Sequence, residues 1–458
     1  METYGCQMNV SDGELMEGIL AAEGYEIVGR PEDADVVLVN TCAIREHAEQ
    51  RVLGRVAQLN GLKTGRPGLV LGVTGCMAQR MGETLLRDAP YVDLVMGPDG
   101  YRSLPESLER LGAQAEDPGT GGDSRRARRA RGARRGQLTV LDLHPAENYA
   151  GLEQRRADGP TAWVPIQRGC DHRCTFCIVP YVRGPEKNRA AGEILSEVEG
   201  LAARGVSEVT LLGQTVNSYH WEGVSFASLL RSVARVPGIR RVRFTSPHPS
   251  DVTPELVEAM AEEQAVCEHL HLPAQSGNDR TLRRMLRRYT IDDFLGKVEM
   301  VREAIPGVAL STDIIVAFPG ESDAEFRDTL ELMRAVRFDE AYTYKYSRRD
   351  GTPAARLPST DFVPAAEAQA RLEELIDVAR GIQAEINQSE VGRSEEVLIE
   401  RPGRREGQVV GKTRRNKVVA FDGCASRVGE YALVGLERTT GATFAGTETS
   451  SAATAVRA

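Results

Sequence analysis

The sequence predicts an α/β protein that ends in a small all-β module. Three observations carry this. Two stretches alternate short apolar runs with helix-compatible segments, one in the first hundred residues and one from Ala162 to about Tyr346. Several cysteines fall just after such runs, where parallel strands place their carboxyl ends. Residues 394–440 break into short strand-like pieces between Gly and charged turns, the pattern of a small β-barrel.

In the first stretch, Val36–Asn40 and Leu69–Thr74 read as buried parallel strands. Gly13–Glu23, opened by a Ser11 or Asp12 cap, and Glu46–Leu59 read as helices. Cys6, Cys42 and Cys76 are spaced by 36 and 34 residues, about one βαβ unit each. Each follows a strand: Thr3-Tyr-Gly-Cys6, Val39-Asn-Thr-Cys42 and Val73-Thr-Gly-Cys76. Adjacent strands lie about 4.8 Å apart, so three strand-end thiols can converge. Free cysteines are often simply buried, but the shared position weighs against three unrelated ones.

From about Gln114 to Gly136 the pattern dissolves. Asp117–Asp123 is a Gly-rich linker, and Ser124–Arg135 carries seven arginines, either a solvated basic loop or a phosphate contact.

The second stretch offers six strands: Ala162–Gln167, Glu208–Leu212, Arg241–Thr245, His269–Leu272, Ala309–Ile315 and Ala341–Tyr346. Helices such as Ala191–Ala203 and Asp323–Val336 separate most of them, which gives an open sheet or a barrel with chemistry at the carboxyl ends. The loop after the first strand is Arg168-Gly-Cys-Asp-His-Arg-Cys-Thr-Phe-Cys-Ile178. After its C-x3-C-x2-C spacing no fourth cysteine or histidine follows at zinc-ligand distance. A structural zinc closes with four ligands and a four-iron cubane wants four thiolates. Cys170, Cys174 and Cys177 can therefore hold three irons of a cluster and leave the fourth open. His172 is expected at the surface, and the lone Cys267 and Cys424 in the core.

Ala365–Gln388 reads as an amphipathic connecting helix. Beyond it come Val397–Glu400, Gln408–Lys412, Lys417–Phe421 and Tyr431–Val434 as strands. Arg393 to Arg438 holds ten Arg or Lys against seven Asp or Glu, densest at Lys412-Thr-Arg-Arg-Asn-Lys417. A basic hairpin on a small barrel suits an RNA backbone, although a solvated hairpin is the plainer reading. The whole chain carries a net charge of -9, so RNA contact must come from local patches. No signal peptide and no run of 18 apolar residues is evident. The expectation is a cytoplasmic protein with reduced thiols.

At this point the motifs match a known family. Arg168-Gly-Cys-x3-Cys-x2-Cys-Ile-Val-Pro-Tyr-x-Arg183-Gly184 resembles the radical S-adenosylmethionine (SAM) enzymes, specifically the methylthiotransferases. Thr3-Tyr-Gly-Cys-Gln-Met-Asn9, Val39-Asn-Thr-Cys-Ala-Ile-Arg45 and Gly75-Cys-Met-Ala-Gln79 resemble that family's additional cluster domain. Leu211–Asn217, Phe244–Pro249, His269–Gly277 and Ser311–Glu321 match as well, so the resemblance runs from residue 2 to about 437. Within the family the chain most resembles the tRNA-modifying branch that acts on isopentenyladenosine, and Asn40-Thr-Cys-Ala-Ile-Arg-Glu46 together with Gly75-Cys-Met-Ala-Gln79 sets it apart from the ribosomal-protein methylthiotransferases.

The resemblance implies an N-terminal parallel-sheet cluster domain at 1–115, a flexible Arg-rich linker at 116–138 and a partial (β/α) barrel radical SAM core at 139–361. It further implies a connecting helix at 362–390, an RNA-binding β-barrel of the TRAM type at 391–446 and a disordered tail at 447–458. Cys170, Cys174 and Cys177 would ligate one [4Fe-4S] cluster that binds SAM and yields a 5′-deoxyadenosyl radical. Cys6, Cys42 and Cys76 would hold a second [4Fe-4S] cluster that delivers sulfur. The reaction implied is methylthiolation of carbon 2 of isopentenyladenosine beside the anticodon. That carbon's aromatic C–H is beyond any side-chain base, so a cofactor must do the hard step. Gln214, Asn217, Gln275 and Asp313 are expected to contact SAM, with loop capping as the alternative role.

The implied partners are tRNA, through its anticodon loop, and an electron donor such as flavodoxin or ferredoxin; a monomer is expected and no membrane. Competing readings are methylthiolation of threonylcarbamoyladenosine in tRNA or of a ribosomal-protein aspartate, and a non-enzymatic iron–sulfur protein that binds RNA. Three features depart from the family pattern. Met1-Glu-Thr-Tyr leaves only the end of a first strand to support Cys6, Thr215 replaces the usual asparagine, and Ala317 the usual glycine.

Overall fold

The computed structural model describes residues 1–43, 46–116 and 136–451. The arginine run at 124–135 and the end of the expected tail, 452–458, lie outside the described residues. Two compact units are present, one of residues 1–157, 168–172 and 178–187, the other of 158–167, 173–177 and 188–458.

In the first unit, β1 (Glu2–Tyr4), β2 (Val36–Thr41), β3 (Val70–Gly75), β4 (Leu94–Met96) and β5 (Leu138–Val140) form one sheet in that order. Every pairing is parallel. The helices are α1 (Gln7–Ala22), α2 (Glu46–Asn60), α3 (Cys76–Met81), α4 (Glu83–Asp88) and α5 (Leu104–Glu116). Both faces of the sheet are covered, as the near-continuous apolar strands require. Alternate strand residues serve opposite faces: Val37, Val39, Leu71 and Val73 pack with Val52, Val56 and Leu59 of α2. Leu38, Val70 and Leu94 pack with Leu15, Met16 and Ile19 of α1. The first strand is short, yet Glu2, Thr3 and Tyr4 still pair with Val39, Asn40 and Thr41.

One boundary departs from expectation. Helix α1 starts at Gln7, with extended Cys6 at its N-cap, so Ser11 and Asp12 lie inside the helix and fully buried rather than capping it. The Asp12 carboxylate is taken by arginines far away in sequence, a partnership that local capping rules cannot detect.

In the second unit, β6 (Thr161–Pro165), β7 (Glu208–Leu212) and β8 (Arg241–Phe244) pair in parallel, as do β9 (His269–His271), β10 (Ala309–Val316) and β11 (Glu340–Lys345). A bridge between Val242 and Val266 ties the two triplets together. The result is a six-stranded partial barrel with strands in sequence order. Outside it lie α6 (Ala191–Ala203), α7 (Phe226–Ala234), α8 (Pro254–Glu262), α9 (Asp279–Arg284), α10 (Ile291–Ala304) and α11 (Asp323–Val336). Helix α11 starts where Ser322 and Glu325 form a reciprocal capping box. Leu270, Leu310 and Ile314 join Phe294, Phe326 and Phe338 in the core beneath the helices. His269, His271 and Asp313 alternate with these core residues and stand on the opposite, more open face.

Helix α12 (Ala365–Glu390) contributes Leu375 and Ile382 to the same core. The last module is a closed five-stranded barrel of β12 (Ser394–Pro402), β13 (Gln408–Thr413), β14 (Val418–Asp422), β15 (Tyr431–Thr439) and β16 (Thr443–Ser451). Its fifth strand corrects the expectation of a disordered tail from residue 447. β16 pairs in parallel with β14 and antiparallel with β15, and Phe444 enters the barrel core. Backbone pairing on both sides closes the barrel without needing an apolar sequence. No helix among the described residues is long and apolar enough to cross a membrane.

Candidate functional site

The sheet register positions the first cysteine set. Tyr4 pairs with Thr41, and Thr41 with Gly75, so the ends of β1, β2 and β3 are level. Cys42 and Cys76 each follow one residue later, and Cys6 two later. Gly75 has φ +91°, and a Cβ there would come within 2.5 Å of the Thr41 carbonyl oxygen; only glycine makes this turn into α3. Asn9, wholly buried, staples the edge. Its Nδ2 donates to the Thr41 carbonyl at 2.9 Å, and its Oδ1 accepts from the Cys6 thiol at 3.2 Å.

The thiols are not alike. A hydrogen bond with Cys42, aided by the nearby Arg183 charge, lowers Cys6 to about 6 against the opposing effect of burial. Burial raises Cys76, although Arg183 pulls the other way. A depressed thiol pKa marks a site that favours thiolate, the form that ligates metal. Three thiols on one sheet edge with a buried cation beside them are a donor set suited to a soft metal centre.

That cation belongs to a buried ion group. Asp12, fully buried, accepts from Arg168 Nη1 at 2.5 Å and from Arg183 Nη2 at 2.7 Å. Arg183 Nε also donates to Cys76 Sγ at 3.1 Å, and the Arg168 guanidinium lies 4.8 Å over the Tyr149 ring. Burial raises the Asp12 carboxyl, but the Arg183 and Arg168 charges outweigh it and hold it below the usual range. Lys187 and Asp99 form a second buried pair at 2.7 Å. Asp12 stood out in the sequence only as a helix cap, and Arg168 and Arg183 only as motif residues flanking the cysteine triplet. Their partnership was invisible because 156 and 171 residues separate the partners.

The triplet begins in the first unit, where buried Cys170 donates its backbone N–H to the Gly184 carbonyl at 3.2 Å. In the second unit Cys174 is buried, Cys177 half-buried, and Cys177 N–H donates to the Cys174 carbonyl at 3.0 Å. Buried Arg287 donates to Cys174 Sγ from Nη1 at 3.4 Å and to the Pro273 carbonyl from Nη2 at 3.2 Å. In each cysteine set a buried guanidinium thus donates to a thiol. Sequence reading missed Arg287, which sits in no motif. His172 is half-buried rather than a free surface side chain. Cys267 is buried as expected, whereas Cys424 is exposed, because it caps a short turn outside the barrel core.

The four expected SAM contacts divide. Gln214 is half-buried and its Oε1 finds no hydrogen-bond partner among the described residues. Gln275 adopts φ +69°, a conformation costly for a residue with a Cβ, between backbone bonds to Asp313 and Ile315. Asp313 lies 3.4 Å from His271 Nε2 and is partly open. Asn217 is committed elsewhere: it accepts from the His248 N–H at 2.7 Å and donates to the His248 carbonyl at 3.0 Å.

The basic hairpin at 412–417 also departs from expectation. Arg414 pairs with Glu268, Arg415 with Glu390 and Glu395, and Lys417 with Asp339. In return, Arg241 and Arg243 donate to the backbone carbonyls of Lys412, Thr413 and Arg414 at 2.7–2.8 Å. The hairpin docks the barrel on the six-stranded domain, and its charge is spent within the protein. Arg401, Arg404 and Arg405 at the β12–β13 turn are exposed.

Known proteins resemble the chain along most of its length. Residues 1–97 match the uncharacterized protein family UPF0004, residues 164–333 the radical SAM superfamily and residues 388–446 the TRAM domain. The tRNA-2-methylthio-N(6)-dimethylallyladenosine synthase of Chlorobium limicola is 42% identical over 97% of this chain and 96% of its own. That of Moorella thermoacetica is 43% identical over 95% of each, and that of Cereibacter sphaeroides 42% over 95% and 94%. Among solved structures, the radical SAM methyltransferase TsrM from Kitasatospora setae has a TM-score of 0.53 at 16% identity, covering 75% of this chain and 73% of its own. At that identity the likeness concerns the fold.

Proposed function

The chain belongs to the tRNA-2-methylthio-N(6)-dimethylallyladenosine synthase family of the radical SAM superfamily, and on that premise we propose how its residues divide the work of methylthiolating carbon 2 of isopentenyladenosine in tRNA. The observation that carries the proposal is the pair of three-thiol sets, one on a level sheet edge and one in the loop after β6.

Cys170, Cys174 and Cys177 hold the [4Fe-4S] cluster that binds SAM, and Cys6, Cys42 and Cys76 hold the second. When bound, these groups supply reductive SAM cleavage to a carbon radical and the sulfur to be transferred. The protein's own contribution is to gather the thiols in two sets and to set a buried guanidinium on a thiol of each. Arg287 and Arg183 donate to Cys174 and Cys76, and such N–H···S bonds orient ligands and tune a cluster's potential. Gln214, Gln275 and Asp313 are polar groups suited to holding SAM, Gln214 with an unmet acceptor for it. Asn217 acts at one remove, by fixing the loop at His248. For RNA, the exposed Arg401, Arg404 and Arg405 replace the docked 412–417 hairpin as the phosphate contacts of the barrel. A flavodoxin or ferredoxin supplies electrons, in the cytoplasm, to a monomer.

Two measurements test this. Anaerobically reconstituted protein should hold two clusters and release 5′-deoxyadenosine from SAM on reduction. Nucleoside mass spectrometry of tRNA from a deletion strain should lose methylthio-isopentenyladenosine. Persistence of that nucleoside would overturn the substrate assignment, and turnover by a C170A/C174A/C177A variant would overturn the chemistry.

A further inference from the structure

Arg183 has a donor that no described residue uses. Its side chain is 4% exposed. Nη2 is engaged by Asp12 and Nε by Cys76, while buried Nη1 has no hydrogen-bond partner among the described residues. A guanidinium is planar with its donors in a fixed fork, so two bonds set the direction of the third nitrogen. Buried donors are rarely left unmet, and an exception calls for a ligand or a reason. Arg168 is the informative contrast. It shares the Asp12 carboxylate and is as deeply buried, but among the described residues it bonds to no thiol. Arg183 couples the anchor to the cysteine set, with Asp12 on one nitrogen and Cys76 Sγ at 3.1 Å on another.

We infer that Arg183 positions the anionic sulfur species carried at the Cys6–Cys42–Cys76 site: Nε holds the Cys76 thiolate, Nη1 donates to the bound sulfur, and Asp12 locks the fork in place. The inference rests on the proposed reading of those cysteines as the sulfur-carrying cluster site. A lysine would keep the charge and a bond to Asp12, but its single ammonium cannot reproduce both the Nε bond and the Nη1 bond.

The test uses the full-length C170A/C174A/C177A variant, which retains only the second set, reconstituted anaerobically with iron and sulfide and then desalted. Sodium methanethiolate is titrated in and followed by visible absorption and by electron paramagnetic resonance of the reduced cluster. In the same background, R183K should hold the same iron, bind methanethiolate at least tenfold more weakly and change the resonance signature. R168K should leave affinity and spectrum as in the parent. Equal affinity in parent and R183K overturns the inference, as does an equal loss in R168K and R183K, which would mark a packing effect. If R183K assembles less iron, D12N decides. It keeps Nη1 but loosens its anchor: weaker binding at full iron content supports the inference, and unchanged affinity overturns it. A parent that holds no iron overturns the cluster reading itself, a failure distinct from that of Arg183.

Discussion

Replacing Asp12 by Asn tests the buried ion group under the first cysteine set. The change is nearly isosteric and removes one negative charge that serves two guanidiniums, with side-chain exposures of 0% for Asp12, 5% for Arg168 and 4% for Arg183. Breaking a buried ion pair by neutralising one partner costs about 3–5 kcal/mol, because the remaining charge stays desolvated. A domain of this size loses about 2–4 °C of melting temperature per kcal/mol, so the first transition of the metal-free protein should fall by roughly 10 °C. The pH dependence follows from the lowered Asp12 carboxyl. A depressed carboxylate pKa stabilises above its unfolded value, about 3.9, and that contribution is lost as pH falls through the folded value. The gap between wild type and D12N should therefore be constant from pH 8 to 5 and close below about 4. Differential scanning calorimetry of the two proteins across that range is the assay. A shift under 2 °C at pH 7, or a gap that closes above pH 5, would refute the account of Asp12 as an ionised anchor.

Arg243→Leu should cost about 3–5 kcal/mol in urea unfolding, since it leaves buried Glu208 without its 3.0 Å partner and frees two barrel carbonyls. The R401A/R404A/R405A variant should weaken tRNA binding and flatten its salt dependence, each lost phosphate contact removing about 0.7–0.9 from the log–log slope; a filter-binding titration reads both. Gly75→Ala should destabilise the first unit by about 1–3 kcal/mol and lower iron bound in the C170A/C174A/C177A background, measured by iron content. Ala317→Gly should raise stability by about 1 kcal/mol, because Ala317 is held at φ +57°, a conformation that strains a residue with a Cβ; calorimetry checks this.

What the sequence revealed depended on whether the signal was local. The six strands of the partial barrel and helices such as α11 carry their own periodicity and caps, and they stand close to where sequence reading placed them. The level edge bearing Cys6, Cys42 and Cys76 was legible because strand-end position repeats with the βαβ unit. Charge without partners was not. Lys412–Lys417 looks like an RNA contact until Glu268, Glu390 and Asp339 are found beside it, and these come from other parts of the chain. β16 was missed for a different reason: its Thr- and Ser-rich composition resembles a tail, and its place in the barrel rests on backbone pairing with β14 and β15. The start of α1 was missed because Cys6 offers no side-chain cap.

The in-register edge of β1, β2 and β3 also fixes where the gene can tolerate length changes. A single-residue deletion inside β2 would draw Cys42 back by about one strand rise, roughly 3.3 Å, and turn its side chain to the other face of the sheet. The same deletion between α2 and β3, at residues 65–69, would leave every thiol in place. Lineages of this chain should therefore accumulate insertions and deletions in the helix-to-strand connections and almost none between a strand's first paired residue and its cysteine. A deletion-scanning library scored for iron retention would trace that boundary residue by residue.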